Sequence, residues 1–492
     1  MYPSSTTYPR PSASYLQSRQ AATCSRDDRL SQLPDDALLN ILERLGTLDA
    51  IRTCILSKQM LKLPTMLSQI FIDFYSAMRA DDQSFTTTRD LARINGAVAD
   101  VTDMILISSR SPLYPVRQLK LRFVLRRYDC ISIGKSVALA MAARKLDGAV
   151  EFEVLTECGF EHCADADLLQ FGEQFNTFLG DCPDAFACLT RLDLHNLRFG
   201  ESDIPKVLSA CERLESLRLH NCDAGNSSVL RVEHPRLVEL EIFCGKFETV
   251  ELICLPKLQR MNYTDWVYDE DPLYFVDVPQ FAKLSLTKNC YWGQTLKLSQ
   301  VLANAPTITN LHLDFQSEKI WVRPESPRLL AHVLNKLRHL NMDFLPEGCD
   351  IAWTMFFLEA APSLDELCLT VWDHWCGTEK LSIRRKKADV KWQLPAPDFK
   401  HKSLTKLTIY GFQSDDNFTG FVRRVMKAAA NVEEISLYDR KVCKFCTKEF
   451  EDYETEVFPS TYPRTSQEKD SLREKITGGL IMASPDVIRF RS

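Results

Sequence analysis

The chain has 492 residues, 45% of them hydrophobic and 26% charged, and a formal charge of −6 near neutral pH. That length can bury a large core and allows roughly two to four domains. The acidic balance argues against a general binder of nucleic acid or membrane surfaces, which needs a basic stripe, and no apolar run approaches the roughly 18 residues of a spanning helix.

Residues 1–26 are rich in Ser, Thr, Pro, Tyr and Gln without an apolar stretch, and read as a disordered leader. From Asp27 the pattern turns helical. Pro34 suits a first helical turn, Asp35 and Asp36 favour the positive end of the helix dipole, and Leu38, Ile41, Leu42 and Leu45 keep helical spacing until Gly46. Thr47 caps a second helix to about Ser57 with Leu48, Ile51, Cys54 and Ile55 apolar, and Pro64 interrupts a third. So small a set of helices buries little surface alone, and a partner is expected.

A helix is expected over 88–102. Val116-x-x-Leu119-x-Leu121 and Val150-x-Phe152-x-Val154 then fit short strands on either side of a helical stretch at 136–144. From Leu189 the pattern Leu-x-x-Leu-x-Leu recurs, starting at Leu189, Leu214, Leu237, Phe281, Ile308, Leu337, Leu364, Leu404 and Val432, mostly at the leucine-rich-repeat period. The interval from Leu364 to Leu404 must hold an insertion. Apolar pairs such as Val207-Leu208 and Val425-Met426 stand seven residues before the next start, so each unit reads as helix, turn and short strand. Such a unit hides its apolar stripe only by stacking on its neighbours, which makes an α/β solenoid with a parallel sheet on its concave face.

Residues alternating with the buried leucines face that concave side. Candidates to hold a folded partner there are Asp193, His195, Arg218, His220, Glu239, Glu241, His312, Asp314, Asn341 and Asp343. They compete with the plainer reading of a solvated polar face.

No phosphate loop, dinucleotide turn or zinc-protease helix is present, and no nucleophile and base stand at recognisable spacing, so neither cofactor nor catalysis is expected. Cys443-x-x-Cys446 lacks the further ligands of a structural zinc site, so no metal is expected either. Seventeen cysteines, several at repeat positions such as Cys211, Cys222 and Cys368, suit a reducing compartment, the nucleus or cytoplasm. The insertion carries Arg384-Arg385-Lys386-Lys387, a solvated charge run or an import signal, between the aromatic residues Trp372, Trp375 and Trp392.

Asp27-Asp28-Arg29-Leu30-Ser31-Gln32-Leu33-Pro34-Asp35-Asp36, followed by Leu48-Asp49-Ala50-Ile51-Arg52-Thr53-Cys54-Ile55-Leu56-Ser57-Lys58, resembles the F-box of plant F-box/leucine-rich-repeat proteins. Asp398-Phe399-Lys400-His401, Tyr410-Gly411-Phe412, Leu437-Tyr438-Asp439-Arg440 and Tyr462-Pro463-Arg464-Thr465 are similar to their FBD region. The resemblance implies a leader over 1–26, an F-box over 27–74, a leucine-rich-repeat solenoid over 75–397 with its insertion near 373–398, and FBD-like C-terminal repeats and cap over 398–492.

It implies a substrate receptor of a cullin-type (SCF) ubiquitin ligase, with a Skp-type adaptor on the F-box, a protein substrate on the repeats, and no nucleic-acid or membrane partner. Carried over by matching positions, the adaptor-binding residues are Leu33, Pro34, Leu38, Ile41, Leu42, Leu48, Ile51, Leu56, Ser57 and Lys58. The chain departs from the family after Lys58, where Gln59, Met60 and Pro64 stand in place of the usual Arg-Trp and second Trp. That departure keeps a second reading open, an interaction scaffold whose degenerate F-box no longer docks.

Overall fold

The computed structural model describes residues 33–54, 60–74, 88–108, 110–225, 228–266, 268, 272–288, 295–305, 307–317, 320–346, 349–371, 392, 395–396, 398–440, 460–480 and 485–491. The leader, Leu56, Ser57, Lys58, Trp372, Trp375, the basic run and the Cys443 pair lie outside these residues.

Helix α1 (Asp35–Leu42) starts where extended Pro34 cannot donate a backbone hydrogen bond, with Asp35 and Asp36 in its first turn. It turns Leu38 and Leu42 inward. Helix α2 (Thr47–Cys54) follows, and a 3-10 helix over Met60–Met66 contains Pro64, so the expected interrupted α-helix is a tighter turn. Thr47 does not cap α2 through its own hydroxyl: Oγ1 accepts from the amide of Phe71 at 2.7 Å. Glu43 accepts from the amide and hydroxyl of Ser68 at 3.0 and 2.6 Å. These three bonds fasten the helices to the first strand of the sheet and the residue before it.

The strands are β1 (Gln69–Asp73), β2 (Val116–Val124), β3 (Leu146–Leu155), β4 (Arg191–His195), β5 (Ser216–His220), β6 (Ser228–Glu233), β7 (Glu239–Phe243), β8 (Phe247–Cys254) and β9 (Arg260–Trp266). They continue with β10 (Leu273–Asp277), β11 (Lys283–Lys288), β12 (Asn310–Asp314), β13 (His339–Leu345), β14 (Glu366–Val371), β15 (Lys406–Tyr410), β16 (Glu434–Tyr438) and β17 (Ile488–Arg491). All but β6, β8 and β10 form one 14-stranded parallel sheet in chain order. Leu192, Leu217, Leu240, Met261, Leu284, Leu311, Leu340, Leu367 and Leu407 lie side by side beneath it, within one buried core.

Two expectations need correction. The gap from Leu237 to Phe281 holds a complete unit, Leu258-x-x-Met261-x-Tyr263, whose strand is β9; Met and Tyr at the leucine positions disguised it, yet all three side chains are buried. In this region the convex side carries strands where helices are expected. β6, β8 and β10 form a separate three-stranded parallel sheet, because Leu230 and Val232, Val250 and Leu252, and Leu273 and Phe275 are buried at a period of two.

Elsewhere the convex layer is helical: α3 (Thr88–Asp103), α4 (Arg127–Ala142), α5 (Asp165–Asp181), α6 (Pro183–Ala187), α7 (Asp203–Ala210), α8 (Leu298–Val301), α9 (Pro327–Leu334), α10 (Met355–Ala360), α11 (Asp416–Ala428) and α12 (Ser466–Thr477). Trp392 packs on Trp353 and Phe356 at ring distances of 4.9 and 5.0 Å, so this member of the aromatic cluster is core-facing.

Several strands end in a left-handed turn: Asn196, Asn221, Cys244 and Gly411 directly follow β4, β5, β7 and β15, and Asp265 and Phe344 are the next-to-last residues of β9 and β13, all with φ between 49° and 80°. Asn is favoured there because its short polar side chain stabilises the left-handed conformation; Asn221 donates to Asn196 at 2.8 Å, and Asn196 donates to Thr156 at 2.7 Å.

At the other end, α12 lies against α11, where Arg423 donates to the carbonyl of Ile476 at 2.8 Å. The Tyr462 hydroxyl meets the carbonyls of Leu437 and Arg491 at 2.9 and 2.7 Å.

Candidate functional site

Three rows of side chains rise from the concave sheet, fixed by its parallel register. The middle row runs Arg122, Glu153, Asp193, Arg218, Glu241, Asn262, Ser285, His312, Asn341, Cys368, Thr408 and Ser436. The register brings every concave candidate of the sequence reading onto this face, but few stand free.

Arg218 forms a two-pronged pair with Glu241 at 3.0 and 3.2 Å, and Arg260 reaches Glu239 at 3.1 Å. Burial raises the Glu241 carboxyl above its ordinary value in spite of Arg218. Burial also raises Glu239, but Arg260 and Ser216 outweigh it and hold that carboxyl below its ordinary value. Asp314 is raised by burial although it accepts from the amide of Gln316 at 2.8 Å.

Asp343 gathers His312 at 2.8 Å, Asn341 at 3.0 Å and Thr370 at 2.6 Å. Burial pushes its carboxyl up, and these donors together pull it below the ordinary range. With Nε2–H given to Asp343, His312 accepts on Nδ1 from the Ser285 hydroxyl at 2.8 Å. This is the acid–base part of a Ser–His–Asp relay. The amides of β11, β12 and β13 are spent in the sheet ladder, so no pair of N–H donors is aimed at an oxyanion there. The network holds the Ser285, His312 and Asp343 side chains in fixed orientations on the concave face.

An open depression of about 430 Å³ lies over this network, walled by Glu239, Arg260, Asn262, His339 and Glu366 among others. Its floor is polar and largely paired, with Asn341 Oδ1 buried and without a hydrogen-bond partner.

Further along the sheet, Asp193 is only 8% exposed, a correction to its expected role as a direct partner contact. His195 and His220 lie over it, their rings stacked with centroids 4.4 Å apart and planes 3° from parallel. Both Nε2 atoms approach Asp193 Oδ1, at 3.2 and 3.3 Å. Burial raises the Asp193 carboxyl, and His195, His220 and Arg218 outweigh that to hold it below the ordinary range; burial pushes His220 down.

The sequence reading missed the charge ladder of Asp73, Arg122 and Glu153, where Arg122 meets Glu153 at 2.7 Å, and the stacked pair Tyr410 and Tyr438 with centroids 4.5 Å apart. The signal for the tyrosines was present, since both close their strands at the same repeat position.

At the other surface, Leu38 and Leu42 are 1% and 2% exposed in the chain's own core, so they do not belong to a docking surface as expected. Ile51 is half-buried against that core, and Leu33 is half-buried. Pro34 and Ile41 face solvent, joined by Leu45, which the docking set lacked. Met60, at one position of departure from the family, is buried. Leu48 lies on α2.

These features define a leucine-rich-repeat solenoid with a small helical domain ahead of it. Residues 30–68 match the F-box domain. The chain belongs to the family described as At1g61320/AtMIF1, LRR domain, which matches residues 182–461, more than half of it.

Among curated relatives from Arabidopsis thaliana, F-box/FBD/LRR-repeat protein At5g56420 is 27% identical over 49% of this chain and 56% of its own length. The chain thus spans little more than half of that relative. F-box/FBD/LRR-repeat protein At4g26340 is 23% identical over 75% of this chain and 82% of its own, and FBD-associated F-box protein At5g56370 is 26% identical over 70% and 75%. A solved TLR13–ssRNA13 complex aligns at 13% identity over 68% of this chain and 57% of that one, with a TM-score of 0.26, too slight a likeness to bear on function.

Proposed function

We propose that this protein is a substrate-receptor subunit of an SCF-type ubiquitin ligase, which docks on a Skp-type adaptor and through it a cullin, presents a protein substrate from the concave face, and catalyses nothing itself. The observation that carries the reading is the F-box match at 30–68 fused without a break to the sheet, with an apolar strip at Pro34, Ile41 and Leu45 left for a partner. The relatives named above combine the same modules. Its place of action is the nucleus or cytoplasm, where buried thiols such as Cys211 and Cys222 stay reduced.

The test is co-purification with a Skp-type adaptor. The full chain retains the adaptor, and Ile41→Asp with Leu45→Asp loses it, because each substitution places a carboxylate in a desolvated apolar contact. Undiminished recovery with the double variant overturns the docking surface. If the unaltered chain recovers no adaptor, the F-box is a helical cap on a scaffold.

A further inference from the structure

We infer that Asp193, His195 and His220 bind a divalent first-row transition cation on the concave face, through the carboxylate Oδ1 and the two Nε2 atoms. The inference does not depend on the ligase reading. His195 and His220 are in register on neighbouring strands, and Asp193 stands two residues before His195 on β4. The three candidate ligand atoms all lie within 4.8 Å of one another.

The oxygen–nitrogen spacing suits a shared cation as well as hydrogen bonds, and a cation needs the two imidazoles to turn out of their parallel stack so that both lone pairs meet at one centre. Zinc–nitrogen and zinc–oxygen bonds of about 2.0–2.2 Å in a tetrahedron put neighbouring ligand atoms about 3.4 Å apart. The two Nε2 atoms stand 3.2 and 3.3 Å from Asp193 Oδ1. Yet Asp193 Oδ1 and His195 Nε2 are buried and neither has a well-aligned hydrogen-bond partner. Buried polar atoms are rarely left so, and one cation between them satisfies all three lone pairs.

Three other histidines are already committed through both ring nitrogens. His312 uses both ring nitrogens on Ser285 and Asp343, His234 on Cys211 and Arg236, and His401 on Ala361 and Leu404. The adjacent cation Arg218 is held by Glu241. Imidazole with carboxylate selects zinc, copper, iron or nickel over magnesium and calcium. Three protein ligands leave coordination positions open, beside the exposed rings of Phe243 and Phe160.

The experiment uses the full chain, untagged and stripped with chelator, titrated calorimetrically with Ni²⁺. One ion per chain is expected at this site, and His220→Asn should weaken its binding at least tenfold, with circular dichroism of the metal-free variant checking that it is folded. Equal affinity in the two proteins overturns the site. A second measurement needs no variant: histidine-selective acylation read by mass spectrometry, with and without Zn²⁺. Protection of His195 and His220, with exposed His332 unaffected, supports the site, and unchanged modification of the pair overturns it.

Discussion

The guanidinium of Arg110 donates a 3.0 Å hydrogen bond to the backbone carbonyl of Leu67, joining the end of the F-box to the loop that enters β2. The same group donates to the carbonyls of Tyr114 at 2.7 Å and Pro64 at 3.3 Å. It is 4% exposed, and burial lowers its pKa to about 10, which leaves it charged at neutral pH. Three carbonyls around one cation clamp the end of the F-box to the segment that enters β2.

Arg110→Met should therefore cost about 3 kcal/mol, since the substitution removes charge-assisted hydrogen bonds and strands buried carbonyls. The loss should be local. Amide exchange is expected to rise across 60–74 and 110–124 while 189–437 keeps its protection; uniform loosening of the whole chain would refute a local clamp.

The register on which the concave face depends predicts opposite fates for neighbours. Leu240 is fully buried, so Leu240→Asp should destabilise by several kcal/mol through an unpaired buried charge. Glu241 is a half-buried partner of Arg218, and its replacement by Ala should cost less than about 1 kcal/mol. Comparable melting shifts would mean that the two faces are exchanged.

The repeats were legible in the sequence because Leu at a fixed period has one physical use, and the concave residues follow from alternation alone. What alternation cannot show is which of them are spent on each other. Arg218 with Glu241 and His312 with Asp343 are 23 and 31 residues apart, and only the stacking of units makes them partners. The unit at Leu258 was hidden because Met261 and Tyr263 fill the leucine sites, and the Tyr263 hydroxyl finds the carbonyls of Gly245 and Phe247 at 3.1 and 3.0 Å. Leu38 and Leu42 looked like docking residues because helical periodicity marks a covered face without saying what covers it; Ile41 lies exposed on the same helix.

Acid should weaken the fold before its carboxylates titrate. His234 and His401 are buried, and burial pushes both below their ordinary value, as it does His220. A histidine depressed in the folded state is neutral there while the unfolded chain takes up a proton. Its contribution is present above about pH 6.5 and is lost as pH falls below that, by up to about 1.4 kcal/mol per pH unit for each group. The carboxyls of Asp193 and Asp343 are depressed and act only at lower pH, while Glu241 and Asp314 are raised and act in the opposite sense as pH falls toward their ordinary values. Denaturant titrations between about pH 7.5 and 5 should show falling stability. His234→Asn with His401→Asn should be less stable at the upper end and flatter across the range; an unchanged slope would contradict the assignment.

Two glycines near the C-terminal repeats separate backbone need from accident. Gly411 follows β15 at the left-handed position with φ of 80°, and a Cβ there would meet the carbonyl oxygen of Val371 at 2.0 Å. That neighbour is backbone of an adjacent unit and has no room to yield, so Gly411→Ala should destabilise severely, combining left-handed strain of about 1–2 kcal/mol with a shift of the strand end. Gly420 lies within α11, and a Cβ there meets nothing within 4 Å. Gly420→Ala should instead stabilise by about 0.5–1 kcal/mol, because it restricts the unfolded chain and improves helix propensity. Chemical denaturation of the two variants beside the parent checks the pair, and a destabilised Gly420→Ala or a neutral Gly411→Ala would show that β15 and α11 are not packed as the structure has them.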